Sequence, residues 1–282
     1  MIGPGYAILF FFLVVTFMPY PASGQAIRIM SYNIRFDNPA DGLNSWGNRR
    51  EFLAGQVQSA DPDVLAIQES LPNQVEFLST KLNGYGHAGQ GRDEGGQGES
   101  TTIFFRQSRF DLKEVNQFWL SESPDQLSRG WDAAIRRICT YVLLFDKQLN
   151  RSILIFNTHF DHIGHQARIK SAELILRKIK ESNAQGLPVI LTGDFNATPD
   201  SAPIQLLQKE MSDCRLIATS KSMAAQGSFN AFDTAKPATQ LIDHIFVTSG
   251  VTVATYAVLV ATQDGKYPSD HFPVVVDIAL PK

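Results

Sequence analysis

The segment from residue 187 to 199 constrains the fold more than any other part of the sequence. It opens with the apolar run Leu-Pro-Val-Ile-Leu and then changes abruptly to Thr-Gly-Asp-Phe-Asn. A run that is too short for a helix and rich in β-branched residues predicts a buried strand, which here delivers Asp194 and Asn196 to the rim of a sheet. Pro199 ends the extended chain and predicts the start of a helix. Many strands end in Asp or Asn simply to form a turn, so the functional argument depends on the other strand ends.

Other predicted strands carry polar residues of the same kind at one end. Three predicted strands early in the chain end in a polar residue or are followed by a polar residue. Two predicted strands late in the chain are preceded by a polar residue. These residues are Asn33, Glu69 and His159 in the first group, and Asp243 and Asp270 with His271 in the second. If the last two strands run antiparallel to the others, all of these positions share one edge of a sheet assembly. We therefore expect a mixed-sheet sandwich with the functional site at that edge.

The remaining pattern places helices and further strands around this sheet. Asn48 is positioned to cap one of the helices. We expect the glycine-rich segment 85–100 to be a mobile loop that flanks the site. Strands over 101–105 and 110–120 are expected to form a hairpin-like unit, whereas residues 211–236 show little periodicity.

The first 24 residues contain no Asp, Glu, Lys or Arg, and residues 7–17 are apolar apart from Thr16. Small residues suited to a signal peptidase follow at Ala22, Ser23 and Gly24. The apolar run is too short for a comfortable bilayer span. We predict a cleaved signal peptide over 1–24 and a secreted or periplasmic protein, with an uncleaved anchor as the alternative.

Residues 25–282 are enough for one large α/β domain. The formal net charge is −3 and no long Lys/Arg run is present. Because a protein that tracks long nucleic acid usually has a basic face, this composition argues for a small or locally recognised substrate. The two cysteines, Cys139 and Cys214, are no disulfide framework, and we expect two free structural thiols. The sequence implies no stable protein partner, and we expect a monomer.

The predicted cluster of carboxylates, amides and imidazoles is unfavourable unless a cation or a proton offsets its charge. Oxygen ligands such as Glu69, with help from the amide of Asn33, suit a hard ion such as Mg²⁺. Zinc fits less well because the sequence has no HxxxH or paired-cysteine spacing. We therefore predict a magnesium site at this edge.

Six short motifs, in their order and spacing, resemble the endonuclease/exonuclease/phosphatase superfamily with its DNase I-like fold. They are SYNIR at 31–35, QE at 68–69, NTH at 157–159, GDFN at 193–196, IDHI at 242–245 and SDHFPV at 269–274. The resemblance covers nearly all of residues 25–282, which we assign to one such domain. It implies an α/β fold, a four-layer α/β/β/α sandwich of two mixed, mostly antiparallel sheets, and metal-assisted hydrolysis of a phosphoester.

The same resemblance implies roles for individual residues. Glu69 resembles the principal Mg²⁺ ligand of the family, with Asn33 beside it and Asp270 on the metal side; Mn²⁺ is the alternative ion. Asp194 resembles the residue that orients or deprotonates the attacking water. Asn196 resembles the amide that holds the scissile phosphate.

Two histidines complete the site that the resemblance implies. His271, with Asp243 as its carboxylate partner, resembles the imidazole that contacts a phosphoryl oxygen, and His159 stands where the family has a donor to the phosphate. Three further residues are candidate substrate contacts, each with a structural or packing role as the alternative: Arg137, Arg168 and Trp131.

The substrate stays open among nucleic acid, a phospholipid such as sphingomyelin, and a phosphorylated sugar or inositol. The glycine-rich segment, with FWLS at 118–121 and GWDA at 130–133, resembles a group of exported bacterial-type hydrolases. The sequence has no basic stripe, which disfavours duplex DNA as the substrate. It also has no obvious apolar segment that would dock on a membrane, which disfavours a lipid substrate. The rival hypothesis, a catalytically silent binding domain, is disfavoured because no site position of the family pattern is replaced.

Overall fold

The computed structural model describes residues 26–281, so the predicted signal peptide over 1–24 lies outside the described residues. The strands in this part of the chain are β1 (Ala26–Asn33), β2 (Val64–Gln68), β3 (Tyr85–Ala88), β4 (Ile103–Arg106), β5 (Phe110–Trp119), β6 (Ile138–Asp146), β7 (Arg151–His159), β8 (Val189–Asp194), β9 (Ser212–Asp213), β10 (Ser220–Met223), β11 (Asp243–Val247), β12 (Thr252–Val258) and β13 (Val274–Ala279). The α-helices are α1 (Trp46–Ala60), α2 (Pro72–Lys81), α3 (His165–Ser182), α4 (Ala202–Gln208) and α5 (Cys214–Ile217).

These strands form two mixed sheets. One has seven strands in the order β10-β12-β13-β1-β2-β4-β3, and the other has six in the order β5-β6-β7-β8-β11-β9. The pairs β1–β2, β7–β8 and β10–β12 are parallel, and the other pairs are antiparallel. In particular, β11 runs antiparallel to β8 and β13 runs antiparallel to β1. This is the arrangement that brings the predicted polar strand ends to one edge.

Three buried apolar clusters separate four layers of secondary structure. The inner cluster, which includes Ile155, lies between the two sheets. A second packs α3 and α4 on the six-stranded sheet through residues such as Ile175 and Leu207, and a third packs α1 and α2 on the seven-stranded sheet through Leu53 and Leu78. Each sheet is covered on both faces, which is why its central strands are apolar at nearly every position. The predicted four-layer α/β/β/α sandwich is confirmed.

The predicted hairpin of β4 and β5 is wrong, because β4 belongs to the seven-stranded sheet and β5 to the six-stranded one. Arg109 lies in the connection between them and donates to the Asp146 carboxylate in one sheet and to the Ala26 carbonyl in the other. The chain therefore crosses between the sheets at this point. Nothing in the local alternation of residues distinguishes such a crossing from a hairpin.

Two other segments are more regular than the sequence predicted. Segment 85–100 contains β3 and is held by an ion pair of 2.7 Å between Arg92 and Glu99. Residues 211–236 contain β9, α5 and β10, which are two to four residues long and therefore too short to produce a periodic pattern. The first helix starts at Trp46 with Ser45 at its N-cap position, so the predicted cap at Asn48 is wrong.

Both cysteines are buried and free, as predicted. Cys139 lies in β6 and Cys214 begins α5. Within residues 26–281, no helix combines the length and the apolar character that crossing a membrane requires.

Candidate active site

The predicted polar residues meet where the parallel pairs β1–β2 and β7–β8 end and where β11 begins. His159 pairs with Asp194 across β7 and β8, and Asp243 pairs with Asp194 across β11. The approach of β7 to β8 is close: a Cβ on Gly193 would lie 2.3 Å from the carbonyl oxygen of Thr158. Glycine is therefore required immediately before Asp194 for the two strand ends to sit side by side.

Asp194 lies at the centre of the site and is almost fully buried. Its Oδ2 accepts from Asn33 Nδ2 at 2.9 Å and lies 3.4 Å from His159 Nε2 and 3.7 Å from His271 Nε2. Its Oδ1 accepts from the backbone N–H of Asn196 at 2.9 Å. Asp194 is thus fixed by both of its oxygens, with Oδ2 facing two imidazoles.

His271 and Asp243 form a tight buried pair beside Asp194. Nδ1 of His271 lies 2.8 Å from Oδ2 of Asp243, while Oδ1 of Asp243 has no hydrogen-bond partner among the described residues. Burial alone would lower the pKa of His271, but Asp243 and Asp194 outweigh it and raise the pKa to about 10. Burial and the neighbouring Asp243 raise the pKa of Asp194 to about 7. A protonated His271 therefore faces a carboxylate that binds protons near neutral pH.

His159 lies on the other side of Asp194 and differs from His271 in charge. Burial, together with the positive charge of Arg137, lowers the pKa of His159 well below its ordinary value, so the imidazole is neutral. Asn196 Nδ2 lies 3.2 Å from His159 Nε2 and donates to the carbonyl of Phe160 at 3.0 Å. The site therefore has a cationic imidazole on one side and a neutral imidazole with an amide on the other.

Three residues around the site have left-handed backbone conformations although none is glycine: Arg35 (φ 56°), Glu69 (φ 61°) and Asn196 (φ 46°). Such conformations are uncommon outside glycine and are retained where the surrounding structure enforces them. Glu69 is turned so that its Oε1 and Oε2 accept from Asn33 Nδ2 and from the backbone N–H of Phe36, both at 3.1 Å. The left-handed conformation of Glu69 therefore aims its carboxylate into the site.

The donor set fits a hard divalent cation. Glu69, His159 and Asp194 each offer one ligand atom, and these atoms lie within 4.8 Å of one another. Asp243 and Asp270 add two more buried carboxylates, whose cationic partners are the imidazole of His271, 2.8 Å from Asp243, and the guanidinium of Arg35, 3.9 Å from Asp270. Carboxylate oxygens that outnumber their cationic partners are the chemistry that Mg²⁺ or Mn²⁺ satisfies.

Two of the predicted metal ligands, Asn33 and Asp270, have other polar partners in this structure. Asn33 faces Glu69 and Asp194 with its amide nitrogen, because its Oδ1 accepts from the backbone N–H of Arg35 at 3.0 Å. In this orientation Asn33 donates to both carboxylates. Its side-chain amide would have to flip before Oδ1 could ligate a cation. Asp270 belongs to neither of the ligand groups found in residues 26–281, and its Oδ2 lies 3.9 Å from Arg35 Nε.

The three predicted substrate contacts have different surroundings. Arg137 is buried and lines a small recess that also includes His159. Arg168 donates to the backbone carbonyl of Asp161 at 2.9 Å. Trp131 is half-buried and packs against the apolar cluster beneath α3. The structure therefore places Arg137 next to the site, whereas the side chain of Arg168 contacts a backbone carbonyl and that of Trp131 packs on the core.

Sequence reasoning missed the role of Arg49, which belongs to the pair Arg49-Arg50. Arg49 is buried and donates to the carbonyls of Ile34, Arg35 and Pro268 at 2.6, 2.7 and 3.1 Å. It thereby ties the segment after β1 to the segment before Asp270. Its position in the sequence resembles that of a surface basic pair, so only the tertiary fold reveals this function.

A second missed feature is a polar bridge between the two sheets under the site. Gln68 Nε2 donates to Asn157 Oδ1 at 2.7 Å, and Asn157 Nδ2 donates to the carbonyl of Ile67 at 2.8 Å. Both residues are fully buried. The signal was present in the sequence, because a lone amide within an apolar strand must find a hydrogen-bond partner in the fold.

Comparison with known proteins agrees with this geometry. The model of the endonuclease/exonuclease/phosphatase family matches residues 30–271. A solved endonuclease/exonuclease/phosphatase family protein from Bacteroides thetaiotaomicron is 37% identical, with a TM-score of 0.88 and an alignment that covers 91% of this chain and 98% of that one. A mannosyl-6-phosphatase from the same organism is also 37% identical, with a TM-score of 0.86, and the alignment covers 90% of this chain and 100% of that one.

More distant relatives occur among eukaryotic proteins. Protein angel of Drosophila melanogaster is 26% identical over 209 residues, which are 66% of this chain and 57% of that protein. The chain thus spans little more than half the length of this relative. The family match, the two Bacteroides structures and the four-layer fold all agree with the resemblance seen in the sequence. The chain belongs to the endonuclease/exonuclease/phosphatase family of phosphoester hydrolases.

Proposed function

We propose that this protein is a secreted, Mg²⁺-dependent hydrolase of phosphoester bonds in phosphorylated sugars. The observation that carries the proposal is the convergence of Glu69, Asp194 and the His271–Asp243 pair at one edge of the sandwich. The chain is similar along almost its whole length to a mannosyl-6-phosphatase. This similarity supports a sugar phosphate as the substrate. The net charge of −3 supports a small substrate over long nucleic acid.

The arrangement of side chains can perform phosphoester hydrolysis by positioning and charge stabilisation. Asp194 Oδ2 is placed to accept a proton from the attacking water. His271, held at Nδ1 by Asp243, presents Nε2–H to a non-bridging oxygen of the phosphoryl group. Asn196 and the neutral His159 supply hydrogen-bond donors from the opposite side.

Glu69 and Asp194 are the carboxylates that would hold the cation. The ion would neutralise charge on the phosphoryl oxygens and stabilise the leaving oxygen. Glu69 is only half-buried, which supports a cation bound near the solvent-facing side of the site.

A substrate panel tests this proposal. The purified protein is incubated with mannose 6-phosphate, an inositol phosphate, sphingomyelin, and single- and double-stranded nucleic acid, each with Mg²⁺, with Mn²⁺ and with chelator. We expect metal-dependent release of product from the sugar or inositol phosphates. Turnover of nucleic acid or sphingomyelin alone would replace the sugar substrate, and no turnover in any arm would favour the non-catalytic binding domain.

Export and oligomeric state belong to the same proposal. The uncharged apolar segment within residues 1–24 supports secretion or a periplasmic location, and we infer a monomer. Sequencing the amino terminus of the protein recovered from the medium or periplasm should show cleavage after about residue 24. Light scattering should give the mass of one chain, and a protein that retains residue 1 in the membrane fraction would contradict the cleaved signal.

A further inference from the structure

His244 is a buried histidine that the proposed chemistry does not use. It follows Asp243 directly in β11 and is almost fully buried. Successive side chains of a strand point to opposite faces. Asp243 meets His271 on one face of the sheet. His244 therefore lies on the other face, where its ring contacts those of Phe195 and Phe246. A polar ring among apolar rings is costly unless its nitrogens are hydrogen-bonded.

The imidazole of His244 binds the segment that leaves β8. Its Nε2 lies 2.9 Å from the carbonyl oxygen of Ala197. A carbonyl oxygen can only accept a hydrogen bond, so Nε2 carries the hydrogen and donates it. Burial lowers the pKa of His244 below its ordinary value, so the ring is neutral near pH 7. His244 therefore holds the buried residue Ala197 by a neutral hydrogen bond between a side chain and the backbone.

The carbonyl that His244 holds lies one residue beyond Asn196, the amide that the proposed mechanism sets against the phosphoryl group. On the other side of Asn196, the backbone N–H of Phe195 donates to the carbonyl of Ile242 at 2.9 Å. The two residues that flank Asn196 are thus bound to residues 242 and 244, on either side of Asp243. The position of Asn196 is therefore set from the segment that also carries Asp243.

Asn196 depends on such support because its backbone is left-handed, with a φ of 46°. This conformation is uncommon outside glycine and persists where the surrounding structure enforces it. In this conformation Nδ2 of Asn196 donates to the Phe160 carbonyl at 3.0 Å and lies 3.2 Å from His159 Nε2. If the carbonyl of Ala197 were released, the peptide after Asn196 would be free to rotate and to carry the amide away from His159.

We propose that His244 is a positioning residue for phosphoester hydrolysis, whose hydrogen bond to Ala197 fixes the amide of Asn196 at the phosphoryl group. The inference rests on the proposed function and adds a residue that contacts neither the substrate nor the metal. Asp243 acts on one side of the site through the cationic His271, and His244 acts on the other side through the neutral amide. A histidine that served packing alone would contribute to stability and leave the rate of hydrolysis unchanged.

The kinetic test removes the donor and then restores it. His244→Leu has an apolar side chain without an N–H, whereas His244→Gln keeps an N–H donor near the end of the side chain. The substrate is p-nitrophenyl phosphate or bis-p-nitrophenyl phosphate with Mg²⁺, whichever the wild type hydrolyses faster. We expect H244L to lower kcat by about 10-fold, the range for one buried hydrogen bond left unmade. H244Q should stay within about threefold of the wild type.

Ile175→Ala is the matched control for stability. Ile175 lies in α3 and is fully buried in the apolar cluster that also contains Phe195 and Phe246. Its truncation destabilises the fold, which urea denaturation measures alongside H244L. The kcat of folded I175A should equal that of the wild type. Loss of stability within this cluster is thereby separated from loss of the hydrogen bond.

A double-mutant cycle asks whether His244 acts through Asn196. Asn196→Ala alone should lower kcat by about 10²-fold, as expected for the loss of a donor aimed at the phosphoryl group. In the Asn196→Ala background H244L should lower kcat no further, because residues that act as a unit are not additive. A residue with a purely structural role would show no such coupling.

A binding measurement gives a readout that needs no turnover. Inorganic phosphate is titrated calorimetrically into wild type, H244L, H244Q and I175A, with Mg²⁺ and with chelator. H244L should bind phosphate about 3- to 10-fold more weakly than the wild type. H244Q and I175A should bind it with nearly the affinity of the wild type. If H244L does not fold by circular dichroism, His244→Met replaces it, since methionine fills irregular space without a donor.

The outcomes separate the two proposals. If the wild type hydrolyses neither ester but binds phosphate, the proposed function fails, and the phosphate titration alone decides the role of His244. A wild type that neither hydrolyses an ester nor binds phosphate removes both proposals. If the wild type is active and H244L keeps its kcat while losing stability, His244 serves packing and the inference is overturned. Equal losses in H244L and H244Q overturn it as well, and so does a loss in H244L that persists in full in the Asn196→Ala background.

Discussion

The two ends of the sandwich both bury charged side chains, but they treat these charges differently. At the end opposite the site, Arg109 lies 2.9 Å from Asp146 and 3.0 Å from Asp63, so a buried cation has two acidic partners. At the site end, Asp194 contacts an amide and two imidazoles, and Asp243 has one histidine partner.

This difference indicates what each end is for. Charges at the opposite end neutralise one another and join the two sheets, since Arg109 bridges Asp146 in the six-stranded sheet and Ala26 in the seven-stranded sheet. At the site end, carboxylates are left in excess of their cationic partners. The opposite end should therefore carry stability, and the site end should carry activity.

The largest effect is expected for Asp194→Asn. The substitution keeps the size of the side chain but removes the base and one ligand oxygen, so hydrolysis of the preferred p-nitrophenyl ester should fall by about 10⁴-fold. Thermal stability should stay close to that of the wild type, because Asp194 is a buried carboxylate with Asp243 nearby and loses little by becoming neutral. Initial rates and a melting curve check both halves, and a variant as active as the wild type would reject Asp194 as the base.

Asp146→Asn should show the opposite pattern. Asp146 is fully buried, accepts from Arg109 Nε, and also accepts from the backbone N–H groups of Gln148 and Leu149 at 2.9 and 3.1 Å. Breaking a buried ion pair by removing one partner costs about 3–5 kcal/mol, which urea denaturation measures. The kcat of the folded variant should be unchanged. A large fall in kcat without loss of stability would erase the distinction between the two ends.

Asp243→Asn tests how the site end works internally. If Asp243 acts by holding and charging His271, its loss should lower kcat by about 10²-fold. In a His271→Gln background the same substitution should then have no further effect, because residues that act as a unit are not additive. Equal effects of Asp243→Asn with and without His271 would show that the two residues act separately.

Much of the site was predictable because its residues lie at strand ends, where an apolar run stops abruptly. Asp194 ends a buried strand and Glu69 follows one, and the order of the motifs placed the strands in one known fold. The sequence could not show which atom of Asn33 faces the carboxylates, since this depends on the backbone N–H of Arg35. It also could not show the burial of Arg49, which is decided by loops that are distant along the chain.

The errors in the fold have a similar cause. Alternation identifies β4 and β5 as strands but not the sheet to which each belongs, because the crossing at Arg109 is fixed by contacts with residues 37 positions ahead and 83 positions behind. Segment 85–100 was predicted to be a mobile loop on account of its glycines. In the fold, Arg92 and Glu99 pair within this segment, a contact over seven residues that no periodicity reveals.

The smallest effect, and the one that most sharpens the comparison, is expected for Glu69→Gln. The change keeps a hydrogen-bonding oxygen but removes the charge that attracts the cation. The Mg²⁺ concentration for half-maximal activity should therefore rise by about 10- to 100-fold, with activity recovered in part at saturating Mg²⁺. The stabilisation of the folded protein by added Mg²⁺ should weaken in parallel. Asp63→Asn is the matched control, because Asp63 is a partly exposed carboxylate at the opposite end with arginine partners. It should lower the melting temperature without shifting the metal titration, whereas an unaltered titration in Glu69→Gln would remove Glu69 from the metal site.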